Sequence, residues 1–226
     1  MNFTQDYASF NGLMIEIIPN FAVFEGGDGS GTTTQLSILK KKFENIQKPA
    51  FFPTYEPTDS QIGRLIRRAL KKEIPFTPET LCRLFAADRN EHLYGKDGIL
   101  PRAQTGSLVI CDRYVLSSLV YQGIECGSEL PKIMNSNFPV PEITIFLDIK
   151  PEIALERMKN RDSLEIYEYL DFQEKVHKKY MSVIDAYKKT AKVEIIDASK
   201  SAEEVADQVW SIICQMPILK QGENIF

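Results

Sequence analysis

Hydrophobic and polar positions alternate in two textures along this chain. Short runs rich in β-branched and aromatic residues fall at Phe21–Glu25, Ala50–Thr54, Leu108–Cys111, Ile143–Leu147 and Val193–Ile196. Between them lie longer stretches whose apolar residues return every three or four positions. Thr32–Ile46 carries Leu36, Leu39 and Phe43 at that spacing, and Pro78 opens a second such stretch with Leu81, Leu84 and Phe85. Further helices are predicted over Ile62–Lys71, Pro151–Lys159, Tyr169–Lys188 and Ala202–Cys214. Strands that alternate with helices in this way build a parallel sheet buried on both faces. The predicted class is therefore α/β, with five parallel strands and helices on both faces. No repeat, low-complexity segment or Pro/Gly-rich linker divides residues 1–226, so a single domain is expected, with 1–20 as an N-terminal extension that adds at most a strand. In such sheets ligands bind beyond the carboxyl ends of the strands.

Composition narrows the partners. The formal charge is −4 and there is no dense Lys/Arg block, which argues against long nucleic acid but leaves room for small anions. The apolar run Leu13–Ile18 is too short to cross a membrane or serve as a signal segment. Cys82, Cys111, Cys126 and Cys214 form no CxxC pair and read as reduced thiols, in keeping with a cytoplasmic protein.

The strand Phe21–Glu25 runs straight into Gly26-Gly27-Asp28-Gly29-Ser30-Gly31-Thr32-Thr33-Thr34, after which the helical pattern begins. Strand, glycine-rich loop and helix in this order suit a phosphate, because successive N–H groups and the helix N-terminus converge on it. Thr33 stands where a hydroxyl would ligate Mg²⁺. The lysine of the usual GxxxxGK[ST] motif is Thr32, so a cation is missing. A glycine-rich turn that only packs a helix on a strand is the plainer alternative.

Four further segments, in order, resemble the thymidylate kinase family. They are TYEPTDSQIGRLIRRAL, LFAADRNEHL, VICDRYVLSSLVYQG and PEITIFLDIKPEIALERMKNR, and together with FEGGDGSGTTTQ they span about 21–201. The resemblance implies a P-loop nucleoside-monophosphate kinase that moves the γ-phosphoryl group of ATP to thymidylate with Mg²⁺, commonly as a homodimer. It implies that Gly26, Gly29, Ser30, Gly31, Thr32, Thr33 and Thr34 hold the donor phosphates; Arg157 and Arg161, four apart on one helix face, would let one lie against the adenine while the other reaches the phosphates. Thr33 and Asp112 would serve the metal. On the acceptor side it implies Glu56, Phe85 against the base, Arg89 on the monophosphate, and Ser117, Ser118, Tyr121 and Gln122, with Asp28 near the sugar hydroxyl and Arg113 on a phosphate. His92 and His177 sit in charged helical faces and are expected to be solvated.

Three basic positions of the family pattern are altered together. Thr32 replaces the loop Lys, Tyr55 replaces the Arg of TREP, and the lid segment, about 160–169, places Ile166 where an arginine is usual. Substitute cations could come from Arg64, Arg67 or Arg68, or from Lys159 or Arg161, of which Arg161 is the catalytic candidate. A nucleotide-binding homologue with weak turnover, and a kinase for another deoxynucleoside monophosphate, are the alternatives these changes leave open.

Overall fold

The computed structural model describes residues 7–10, 13–158 and 166–220. Its strands are β1 (Tyr7–Phe10), β2 (Leu13–Glu25), β3 (Ala50–Tyr55), β4 (Ser107–Asp112), β5 (Val140–Asp148) and β6 (Val193–Asp197). Its helices are α1 (Thr32–Phe43), α2 (Gln61–Leu70), α3 (Pro78–Tyr94), α4 (Ile99–Gln104), α5 (Val115–Glu125), α6 (Glu129–Asn135), α7 (Pro151–Met158), α8 (Ile166–Tyr187), α9 (Ala202–Ile213) and α10 (Pro217–Lys220).

Five strands pair in parallel in the order β3-β4-β2-β5-β6, as the alternating pattern predicts, and β1 adds an antiparallel partner to the start of β2. The predicted first strand is thus only the end of a longer one. Pro19 and Asn20 hide this in the sequence, since both punctuate strands. In the structure Asn20 takes a positive φ of 63°, which Asn tolerates, and the β2–β5 register shifts at that point. Its N–H donates to Glu142 Oε2 at 2.7 Å and its side-chain amide to Ala103 O at 3.1 Å, so no backbone donor is wasted by the irregularity.

Central strand β2 is buried on both faces. Ala22 and Phe24 join Leu36, Leu39, Phe43 and Val209 on one side, and Phe21 and Val23 join Leu93, Ile99 and Tyr114 on the other. Burying such side chains contributes about 1.5–3 kcal/mol each, enough to hold the carboxyl ends of β2 and β4 in fixed register. Caps then set where the helices begin. Ser60 accepts from Gly63 N at 3.0 Å, Thr77 precedes Pro78 and accepts from Thr80 N at 3.3 Å, and Ser201 forms a reciprocal capping box with Glu204.

Candidate active site

The loop after β2 opens into a cleft of about 580 Å³ lined by residues from Gly27 to Gln35, with Arg113, Arg157, Met158, Tyr169 and Lys200 around it. The loop is therefore accessible and not merely a packed turn. Gly29 and Gly31 adopt φ of 80° and 97°, values that a side chain would strain, and a Cβ on Gly29 would meet the Ala154 carbonyl at 2.8 Å. Thr32 opens α1 and is buried; it brings no charge. Thr33 Oγ1 donates to Asp112 Oδ2 at 2.6 Å, while Asp112 Oδ1, also buried, has no partner among the described residues. An oxygen-only pair with one unsatisfied carboxylate oxygen fits a hard divalent cation such as Mg²⁺. Arg157 donates to the carbonyls of Ser199 and Lys200 at 3.3 and 3.0 Å, which lays it along the loop after β6.

A second cavity of about 320 Å³ adjoins the first and shares Asp28 and Arg113 with it. At this seam Arg113 Nη2 donates to Asp28 Oδ1 at 2.7 Å, and Nη1 donates to Gly26 O at 3.2 Å and Ser117 Oγ at 3.3 Å. The other donors to Asp28 are the hydroxyls of Tyr121 and Tyr169, each at 3.2 Å, and Gln173 Nε2 at 3.1 Å. The Arg113 guanidinium also sits 5.1 Å from the Tyr121 ring centroid, and burial raises that phenol well above its ordinary range. Arginine and aspartate are thus held in one place by groups from the loop after β2, from α5 and from α8.

The second cavity is walled by Glu56, Phe85, Arg89, Ser117, Ser118, Tyr121, Gln122 and Phe172. Arg89 is almost wholly buried and nearly saturated. Its Nε and Nη2 reach Glu56 Oε2 at 2.9 and 2.7 Å, Nη2 also donates to Tyr114 O at 2.9 Å, and Nη1 donates to Asn135 Oδ1. A guanidinium has five N–H donors. Three make hydrogen bonds to the protein and Nη2 also lies against Glu56 in the ion pair, so few are left for a ligand. Asn135 in turn donates to Ser118 Oγ at 3.2 Å and Pro131 O at 2.7 Å, so α6 braces both walls.

The loop Pro57–Ser60 is fastened from below by Asp88. Its carboxylate accepts from Thr58 N at 2.7 Å, Thr58 Oγ1 at 2.6 Å and Ser60 Oγ at 2.8 Å. Adjacent Asp88 and Arg89 therefore divide the work, one holding the loop and the other facing the cavity.

Several expectations from the sequence are corrected. The His92 side chain is largely covered rather than solvated, with Nδ1 3.1 Å from Glu56 Oε1 and Nε2 2.7 Å from Thr54 Oγ1. His177 is only partly exposed and meets Asp148 Oδ1 at 2.8 Å. Arg64, Arg67 and Arg68 line neither cavity. Arg67 binds the carbonyls of Pro57 and Thr58 and stacks on Tyr55, Arg64 donates to Asp59 O, and Arg68 pairs with Glu73 at 3.2 Å. Charges that read as mobile substitutes are spent on their own loop. Glu56, expected on the acceptor side, lines the second cavity and pairs there with Arg89. Lys159 and Arg161, and with them most of the lid, lie outside the described residues. Cys82 is a buried thiol, pushed up to about 11 by desolvation, as its apolar surroundings suggested.

The structure adds residues that the sequence did not single out. Glu25, Asn135, Tyr169 and Gln173 all touch the candidate residues directly. Glu25 carried a signal, an acid at the end of an apolar strand. Asn135 carried none, because α6 is too short for its period to register.

The sequence profile of the thymidylate kinase family matches residues 24–209. A Treponema pallidum protein bearing that family name is 41% identical over 199 residues, covering 86% of this chain and 95% of the relative. The "Probable thymidylate kinase" of Pyrobaculum aerophilum is 42% identical over 196 residues, 85% of this chain and 95% of its own length. A Synechococcus sp. "Thymidylate kinase" is 35% identical over 210 residues, 90% of this chain and 99% of the relative.

Proposed function

Because the chain belongs to the thymidylate kinase family, a family of nucleoside-monophosphate kinases, we propose that it transfers the γ-phosphoryl group of ATP to thymidylate. The observation that carries this reading is the pair of adjoining cavities that meet at Asp28 and Arg113. The larger takes ATP, with its phosphates on the N–H groups of the 26–34 loop and its adenine beside Arg157. The smaller takes thymidylate, with Phe85 against the base. Phosphoryl transfer needs two phosphates in line and charge around them, more than a nucleophilic side chain, and the shared seam brings the two ligands end to end.

Arg113 is the cation for the acceptor phosphate, since of the three arginines lining the cavities, Arg89, Arg113 and Arg157, it is the one that borders both spaces. Arg89 belongs at the base end. With most of its N–H groups committed to Glu56, Tyr114 and Asn135, it suits one carbonyl oxygen of a pyrimidine better than the several oxygens of a phosphate. That assignment reverses the role the resemblance suggested for it. Gln122, also buried, supplies an amide edge on the same wall. Thr33 and Asp112 would hold Mg²⁺, which when bound neutralises charge on the donor phosphates. Asp28 orients Arg113 and faces the acceptor sugar.

Thr32 in the lysine position favours a second reading, a binder with little turnover. The first reading requires another cation at the γ-phosphate, and Arg161 is its candidate. A coupled assay with thymidylate, deoxyuridylate and deoxycytidylate, with Thr33→Ala as control, separates the possibilities. Turnover with thymidylate that Thr33→Ala weakens at limiting Mg²⁺ supports the kinase. Tight thymidylate binding without turnover supports the binder.

A further inference from the structure

We propose that Glu25 is the positioning residue for Arg113, fixing both its backbone and its guanidinium from the end of β2. The side chain is fully buried, and both carboxylate oxygens are engaged. Oε1 accepts from the N–H groups of Tyr114 and Ser117 at 2.9 and 3.1 Å, and Oε2 accepts from Ser117 Oγ at 2.6 Å and Tyr180 OH at 3.1 Å. Helix α5 has no side-chain cap of its own. Glu25 caps it from the neighbouring strand, where a negative charge also meets the positive end of the helix.

Arg113 stands between that strand and that helix with a φ of 71°. A non-glycine residue persists there only when its surroundings over-determine it. Its own N–H donates to Phe24 O at 2.8 Å, and the next N–H goes to Glu25, so the strand end grips both peptides that flank the left-handed residue. The guanidinium is set by a second route. A serine hydroxyl has one hydrogen, and Ser117 gives it to Glu25, so its lone pairs are left to accept from Arg113 Nη1 at 3.3 Å. Through Tyr180 the same carboxylate also fastens α8, the helix that brings Tyr169 and Gln173 to Asp28. Burial raises the Glu25 pKa, while Ser117, Arg113 and the Tyr114 N–H act in the opposite direction.

The Glu25→Gln change keeps the shape but turns one acceptor into an NH₂ facing existing donors. The test rests on Arg113 meeting the acceptor phosphate, and it compares thymidine with thymidylate by calorimetric binding. Arg113→Ala is expected to lose at least about tenfold more affinity for thymidylate than for thymidine, the range of one charge-assisted contact. Glu25→Gln is expected to show the same selective loss, at least about threefold, and the double variant to be no worse than Arg113→Ala. Equal losses for both ligands in Glu25→Gln, or additive losses in the double variant, overturn the proposal. If Arg113→Ala itself is unselective, the phosphate role of Arg113 falls and this proposal falls with it. Should Glu25→Gln not fold, Ser117→Ala removes only the hydroxyl bridge and carries the same comparison.

Discussion

Replacing Arg89 with Met tests the donor count directly. The change keeps an apolar stem but leaves Glu56, itself buried, without its cation; His92 Nδ1 becomes the nearest donor left to it. Breaking a buried pair from one side costs about 3–5 kcal/mol. In a chain of this size each kcal/mol lowers Tm by about 2–4 °C, so a fall of about 6–20 °C is expected by calorimetry or circular dichroism. Neutralising the partner as well, in Arg89→Met with Glu56→Gln, removes the stranded charge and is expected to recover more than half of that loss. Binding gives the second readout. Because what Arg89 has left to donate meets the base, thymidine and thymidylate should weaken together, each by about 1–3 kcal/mol, or about 5–150-fold. A loss more than about tenfold greater for thymidylate than for thymidine would mean that Arg89 holds the phosphate after all and would refute the count.

Other outcomes follow from the same geometry. Thr33→Ala and Asp112→Asn should each raise the Mg²⁺ concentration needed for half-maximal turnover, and Mg²⁺ titrations that overlay the wild type would contradict the pairing of these two oxygens. Arg161→Ala should lower kcat by at least about tenfold, equivalent to about 1.4 kcal/mol of transition-state stabilisation, and a smaller effect removes it as the substitute cation. Thr32→Lys restores the missing charge: a modest change in rate is expected of a working kinase, whereas a gain of orders of magnitude identifies a weakened one. Gly63→Ala should destabilise the chain by about 1–3 kcal/mol in chemical unfolding, because its Cβ would run into the Thr58 backbone that Asp88 pins.

Much of the architecture was legible in the chain because it rests on local rules. Alternating textures located five parallel strands, since a strand buried on both faces must be apolar throughout, and Pro78 and Pro151 marked helix starts because proline suits a first turn. Glycines at 26, 29 and 31 announced a loop whose backbone must come close to something, and the ordered motifs identified the family. The N-terminal extension supplied the one extra strand it was expected to add at most, β1, whereas the short helices α4 and α6 were not legible, being shorter than the stretch over which a helical period registers.

The candidate residues themselves were in view from the sequence, but their partners were not. Arg89 looked free to clamp a phosphate until Glu56, Tyr114 and Asn135, separated from it by 33, 25 and 46 positions, were seen to take most of its donors. Arg64, Arg67 and Arg68 looked like spare cations until the Pro57 and Thr58 carbonyls claimed Arg67, the Asp59 carbonyl Arg64, and Glu73 Arg68. Glu25 became an anchor only when Ser117 and Tyr180, 92 and 155 positions away, arrived at its oxygens. Residue type and local spacing determine what a side chain can donate or accept, so the chain alone determined the fold class, the loop and the set of candidate groups. Which of those donors remain for a ligand depends on contacts between distant elements, and only the tertiary structure decided that.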